Sequence, residues 1–240
     1  MTISLIASAR AVGTSTTPTI THGLTLEAGD VLVAMGNHNY STSSSWAATG
    51  TYQFTELCDV AGSPAPATSQ FYMGHRVVTT PASETSYSWT IDESQNWTIC
   101  LRQFRGVDTT NIWDLAVPTV TGTGADNWQY GNGTTATAAT RSTNYDGSLA
   151  IFVVWTDAES VDFYSSVTNS FTDLYNAPQT GDGTGSVLAS AIKQISSAGA
   201  IGATACTLAS NDWQCALTAL RAAPVIDASQ VDANISIAWV

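Results

Sequence analysis

"NWTICLRQFRGVD", Asn96–Asp108, and "DWQCALTALRAAP", Asp212–Pro224, are the stretches that decide the fold. Each opens on a polar residue and Trp, then runs through Cys, Leu and an apolar residue to Arg. Aligned on the tryptophans, Trp97 matches Trp213, Leu101 matches Leu217, Phe104 matches Leu220 and Arg105 matches Arg221. The cysteines do not match: Cys215 falls opposite Ile99, and Cys100 opposite Ala216. Successive side chains of a strand point to opposite faces, so this one-residue slip puts the two thiols on opposite faces. What repeats is therefore packing, the closing strand of a duplicated unit, rather than a Cys–Arg centre.

Further echoes keep the same order. "GDVLVAM" from Gly29 matches "GSLAIFV" from Gly147, and "FTELCDV" from Phe54 matches "FTDLYNA" from Phe171. "SQFYMGHRVV" from Ser69 matches "GSVLASAIKQ" from Gly185, and "SLIASARAVGT" from Ser4 matches "DLAVPTVTGTG" from Asp114. Ordered self-similarity of this kind marks an internal repeat. Three segments follow: a first β-sandwich repeat at 1–111, a second at 112–223, and a C-terminal arm at 224–240. The joining stretch "GVDTTNIWDLAVPTV" carries Ile112, Trp113, Leu115 and Val117, too apolar for a free linker, so the halves are expected to pack as one pseudo-symmetric unit.

Helical periodicity is nearly absent. Short apolar or alternating runs are punctuated by Gly, Ser, Asn, Asp and Pro. Strands are expected at Ile3–Ala9, Thr17–Thr21, Asp30–Met35, Tyr52–Val60, Ser69–Val78, Tyr87–Ile91 and Trp97–Phe104. The second half reads as strands at Ala116–Thr121, Thr135–Thr140, Ser148–Trp155, Ser170–Leu174, Ser186–Ile195, Ala203–Ala209 and Trp213–Leu220. Such spacing specifies an all-β protein, an antiparallel β-sandwich or jelly roll built from two tandem similar halves. The arm ends in "ISIAWV", in which Ile235, Ile237, Trp239 and Val240 are apolar and β-prone. It reads either as a final strand on its own domain or as an arm that docks on a neighbouring subunit by strand addition.

The 240 residues carry seven Lys and Arg against nineteen Asp and Glu, a formal net charge of −12. The basic residues are scattered, which argues against nucleic acid or anionic lipid as a partner. No run approaches the length of a membrane span, and "MTISLIASAR" lacks the basic start and long apolar core of a signal peptide. Synthesis in the cytoplasm is the expectation. The cysteines Cys58, Cys100, Cys206 and Cys215 fit no CxxC metal pattern and are expected as reduced, buried thiols. A hairpin turning at Ser210–Asn211 would set Cys206 opposite Cys215.

The search for chemistry finds little. Nucleophilic catalysis needs a base beside Ser or Cys, and the only histidines are His22, His38 and His75. His38, in "GNHNY", sits at an expected loop mouth. Asp92/Glu93 and Asp157/Glu159 fall in turns, a poor setting for the split pKa values of a glycosidase. "TGDGTGS" at 180–186 lacks the regular acidic ligands of a calcium loop. No catalytic residue, metal site or cofactor is assigned. The "NWT" sequon at Asn96 opens a core-like strand and reads as fortuitous. Trp97 and Trp213 read as core. Tyr40, Trp46 and Tyr52 in "NYSTSSSWAATGTY", and Trp128 and Tyr130 in "GADNWQYGNGT", lie among small polar residues and read either as glycan or partner contacts or as cover for the ends of the sandwich.

"GDVLVAM", "SQFYMGHRVV" and "WTICLRQFRGVDTTN", with the echoes "DGSLAIFVV" and "WQCALTALRAAP", resemble a repeated β-sandwich module found in phage structural proteins and some bacterial surface proteins. The resemblance covers about residues 1 to 224. It implies an all-β fold and a virion role: head decoration, head fibre, tail or adsorption component. The partners it implies are other virion proteins of capsid or tail, further copies of the chain, and host surface polysaccharide. It transfers no catalytic residue. The alternative function is a carbohydrate-binding module or adhesin that recognises host surface glycans.

Overall fold

In a computed structural model, residues 2–39, 45–61, 69–116, 118, 128–156, 164–178 and 187–225 are described. They form an all-β protein with antiparallel pairing throughout, and none of them is helical. The first half supplies β1 (Ser4–Ser15), β2 (Thr19–Thr21), β3 (Val31–Asn39), β4 (Trp46–Thr49), β5 (Thr55–Ala61), β6 (Ser69–Val77), β7 (Ser86–Ile91) and β8 (Gln95–Arg105). They make one sheet of order β1-β8-β3-β6-β5 and a smaller one of order β2-β7-β4. The second half supplies β9 (Trp113–Leu115), β10 (Gln129–Ala138), β11 (Ser142–Thr143), β12 (Leu149–Thr156), β13 (Ser166–Val167), β14 (Thr172–Pro178), β15 (Val187–Gln194), β16 (Gly199–Ala200) and β17 (Thr204–Leu220). Its large sheet runs β10-β17-β12-β15-β14, with β9 and β13 also pairing on β17 and a separate β11-β16 pair.

The two large sheets share one strand order. Putting β10, β17, β12, β15 and β14 in place of β1, β8, β3, β6 and β5 turns the first sheet into the second. Register agrees: Val31 pairs with Phe104, and Leu149 with Leu220. Period-two alternation then divides the side chains among three cores. Val31, Val33 and Met35 of β3 join Leu149, Ile151, Val153 and Trp155 of β12 in a central core. The opposite faces go elsewhere. Leu32 and Ala34 pack with Trp46, Tyr87 and Trp89 under the small sheet of the first half, and Ala150, Phe152 and Val154 fill a core within the second. Both large sheets are covered on both faces. That is why "VLVAM" and "LAIFVV" are apolar without a polar face.

Aromatic packing joins the halves. Phe71 of β6 stacks on Trp155 at 4.3 Å between ring centroids and meets Trp128 edge-on at 4.9 Å. Asn37, fully buried on β3, donates through Nδ2 to the Thr156 carbonyl (3.2 Å). The repeated phrase recurs with its partner. Trp97 lies opposite Gly13 and Trp213 opposite Gly131, and a Cβ on either glycine would sit 2.6 or 2.5 Å from the facing indole. Cys100 lies in the central core and Cys215 in the second-half core, on opposite faces as the one-residue slip requires.

Three expectations are corrected. Thr204–Leu220 is one strand, pairing with β10 along both of its parts, so no hairpin turns at Ser210–Asn211. The partner of β1 in strand order is β10 rather than the segment after Asp114, because β10 lies on β17 as β1 lies on β8. Within β6 and β15 the correspondence shifts by one: Val77 and Gln194 each pair with the first residue of β3 or β12, which aligns Ser69 with Ser186. Most of Ala116–Thr121 lies outside the described residues.

Candidate functional site

The aromatic residues come first, because the sequence placed contacts on them. Trp46 begins β4 and is buried against His38 (5.3 Å), Tyr72 (5.8 Å) and Trp89 (6.5 Å). Gly36 makes room for it, since a Cβ there would lie 2.9 Å from the indole. Trp128 is fully buried in the central core, and its Nε1–H donates to the Pro118 carbonyl (2.8 Å). An indole with no solvent face cannot stack on a sugar, so both tryptophans are corrected from contact residues to core. Their polar neighbours in sequence concealed a tertiary role. Tyr52 is half-buried, with the Arg76 guanidinium 5.1 Å from its ring centroid. Tyr130, on the edge strand β10, is 40% exposed. Tyr40, Ile235, Ile237, Trp239 and Val240 lie outside the described residues, as do Asp157, Glu159 and the 180–186 loop.

One titratable cluster sits where β3, β5 and β6 end beneath Trp46. Asp59 accepts the Trp46 backbone N–H (2.9 Å) and the Gln70 side-chain amide. Burial pushes its carboxyl up to about 6, against the pull of those two hydrogen bonds and with help from Glu56 and Asp92. His38 is fully buried, with Nδ1 bonded to the Asn39 carbonyl (2.7 Å) and Nε2 without a hydrogen-bond partner. Burial lowers its pKa and keeps it neutral at pH 7. The loop-mouth expectation for His38 gives way to a side chain at the base of a packed aromatic layer. Asp92 accepts the Ser45 backbone N–H at 3.2 Å, as a turn cap would. Asn96 is buried and accepts the Thr14 hydroxyl, which closes the "NWT" sequon to modification.

The cysteines are free thiols, all buried. Burial drives Cys100 up to about 11 and Cys206 up to about 12, and raises Cys58 and Cys215 as well. A nucleophile must be a thiolate, so none is activated at neutral pH. Other ionised groups are spent on structure. Glu84 accepts from Arg76 Nε, from the Thr79 and Thr80 backbone N–H groups and from the Tyr87 hydroxyl. Asp30 is held by Arg105, Gln103 and the Glu27 N–H.

Two open concavities flank the edge strand β1. One, about 350 Å3, lies between β1 and β14 and is lined by Leu5, Ser8, Arg102, Asp173 and Tyr175. The other, about 470 Å3, lies on the opposite face of β1 against Leu24, Thr25 and Gln103. Arg102 belongs to the repeated phrase, yet it is buried between the halves. Its Nη1 donates to the carbonyl and hydroxyl of Ser190, and its Nη2 to the Asp173 carbonyl (2.8 Å). Asp173 sits at the register shift of β14 with φ 52°, a left-handed conformation that Asp tolerates better than most residues. Thr218 holds the matching position in β17, so the strut belongs to one half only. Scattered charge in sequence gave no sign of Arg102.

No family model, no curated protein and no solved structure matches this chain.

Proposed function

We propose that the chain is a non-enzymatic structural component of a bacteriophage or phage-like particle, exposed on the virion as a head decoration, head fibre or tail accessory protein. The resemblance of its repeated phrases to a phage β-sandwich module motivates the reading. The observation that carries it is the use to which reactive side chains are put. Cysteines, His38, Arg102 and the carboxylates of Asp30 and Glu84 are committed to packing and internal hydrogen bonds within stacked sandwiches. An acidic body that presents sheet edges suits repeated assembly, and virion components repeat by symmetry. The test is a quantitative protein inventory of gradient-purified particles from the source replicon. Stoichiometric recovery with a capsid or tail protein is expected, and absence from particles overturns the reading.

A glycan-binding adhesin is the second reading. Of its five aromatic residues, Tyr130 keeps an exposed ring and Tyr52 is half-buried. Binding to host polysaccharide that is lost on Tyr130→Ala and retained on Tyr52→Ala would favour it.

A further inference from the structure

Strand β1 is a liability as it stands. It lies at the edge of its sheet, pairs among the described residues only with β8, and spans twelve residues. Ile6 and Val12 are 42% and 40% exposed; the strand carries no Pro or Lys, and its blunting devices are Arg10 and the register shift between Leu5 and Ala7. Edge strands of this length and apolarity are normally covered or blunted, because every second residue turns its N–H and C=O outward. The two concavities lie on opposite faces of the same stretch, Leu5–Ala9. A strand added there would send alternate side chains into each.

The end of the described chain comes close to this place. Ala222 bridges to Val107, and the Ala223 N–H donates to the Gly106 carbonyl (2.9 Å). Gly106 packs on the Thr2 carbonyl, and Arg105 pairs with Ser4. The chain therefore leaves beside the first residues of β1. Residues 226–234 can span about 30 Å when extended, whereas Ser4 to Ala9 covers about 17 Å. Beyond them lies "ISIAWV", which alternates Ile235, Ile237 and Trp239 with Ser236, Ala238 and Val240. The large set suits the roomier concavity beside Leu24, and the smaller set suits the one that holds Ser8 and Arg102.

We propose that residues 235–240 add to the free edge of β1 at Leu5–Ala9 within their own chain, closing the large sheet of the first half. Tethering favours the chain's own segment over a neighbour's through effective concentration. The inference stands apart from the virion reading, which is tested by particle content.

The experiment is amide hydrogen exchange on the full-length protein and on full-length Ile237→Pro, which removes an N–H and resists strand geometry. Protection at Leu5–Ala9 is expected in the parent, and exchange there should rise about tenfold or more in the variant while β12 is unchanged. Trp239→Ala should give a smaller rise at the same peptide. Protection should be equal at about 1 µM and about 100 µM protein, as an intrachain contact requires. Equal exchange at Leu5–Ala9 in parent and Ile237→Pro overturns the proposal. So does protection that appears only at the higher concentration, which would assign the edge to another copy.

Discussion

Replacing Phe71 by Ala should destabilise both halves together. Phe71 is fully buried on β6 and lies in the contact between them, stacked on Trp155 at 4.3 Å and edge-on to Trp128 at 4.9 Å. Deleting a buried Phe costs about 3–5 kcal/mol through lost transfer energy and the cavity left behind. Aromatic pairing adds roughly 0.5–1.5 kcal/mol for each partner lost. The site cannot collapse easily, because its walls are strands of both large sheets, so the upper end, about 5 kcal/mol, is expected. Guanidinium unfolding followed by tryptophan fluorescence and far-UV circular dichroism reads it. One coincident transition should move to lower denaturant in both signals with little change in slope. A loss below about 1.5 kcal/mol would refute the reasoning, since that is the scale of a volume-conserving swap rather than a cavity. So would a biphasic curve in which one phase keeps its midpoint.

Other outcomes follow from the same contacts. Glu84→Gln leaves Arg76 without its anion and should cost about 3 kcal/mol near neutral pH by chemical denaturation. The Glu84 carboxyl is held down to about 2 from 4.5, chiefly by Arg76 and the Thr80 and Thr79 N–H groups against the cost of burial. A depressed acid stabilises above its unfolded value and loses that contribution as pH falls, so the parent should weaken between about 4.5 and about 2 more steeply than Glu84→Gln. Arg102→Met should cost about 2 kcal/mol in the same assay, because the Ser190 and Asp173 carbonyls lose their donor. Gly131→Ala should destabilise by about 1–3 kcal/mol through the clash with Trp213, and Gly13→Ala by a similar amount against Trp97.

The sequence was most legible where side chains are buried on both faces of a sheet. "VLVAM" and "LAIFVV" carry unbroken apolar runs, and with the two Trp-to-Arg phrases they became β3, β12, β8 and the end of β17. The slip between Cys100 and Cys215 was readable because a strand's period of two turns a count of residues into a face. Legibility failed where the cause is tertiary. Trp46 and Trp128 sit among Ser, Asn and Gly, and only the layers they enter reveal them as core. The one-residue error between β6 and β15 came from aligning residue types across strands whose neighbours carry register shifts, at Glu56/Cys58 in β5 and Thr172/Tyr175 in β14. β11, β13 and β16 are too short to show alternation at all. Arg102 was invisible as a strut because its acceptors, Ser190 and the Asp173 carbonyl, are 88 and 71 residues away.

The central claim is that the two large sheets, alike in strand order, are held by a shared core. A double-mutant cycle across that core tests it most directly, using Phe71→Ala, Trp155→Ala and the double variant in equilibrium unfolding. Residues in contact couple, and an interaction energy of about 1 kcal/mol or more is expected between these stacked rings. Additivity within about 0.3 kcal/mol would mean that the rings do not touch in solution, and would contradict the stacked arrangement of the two halves.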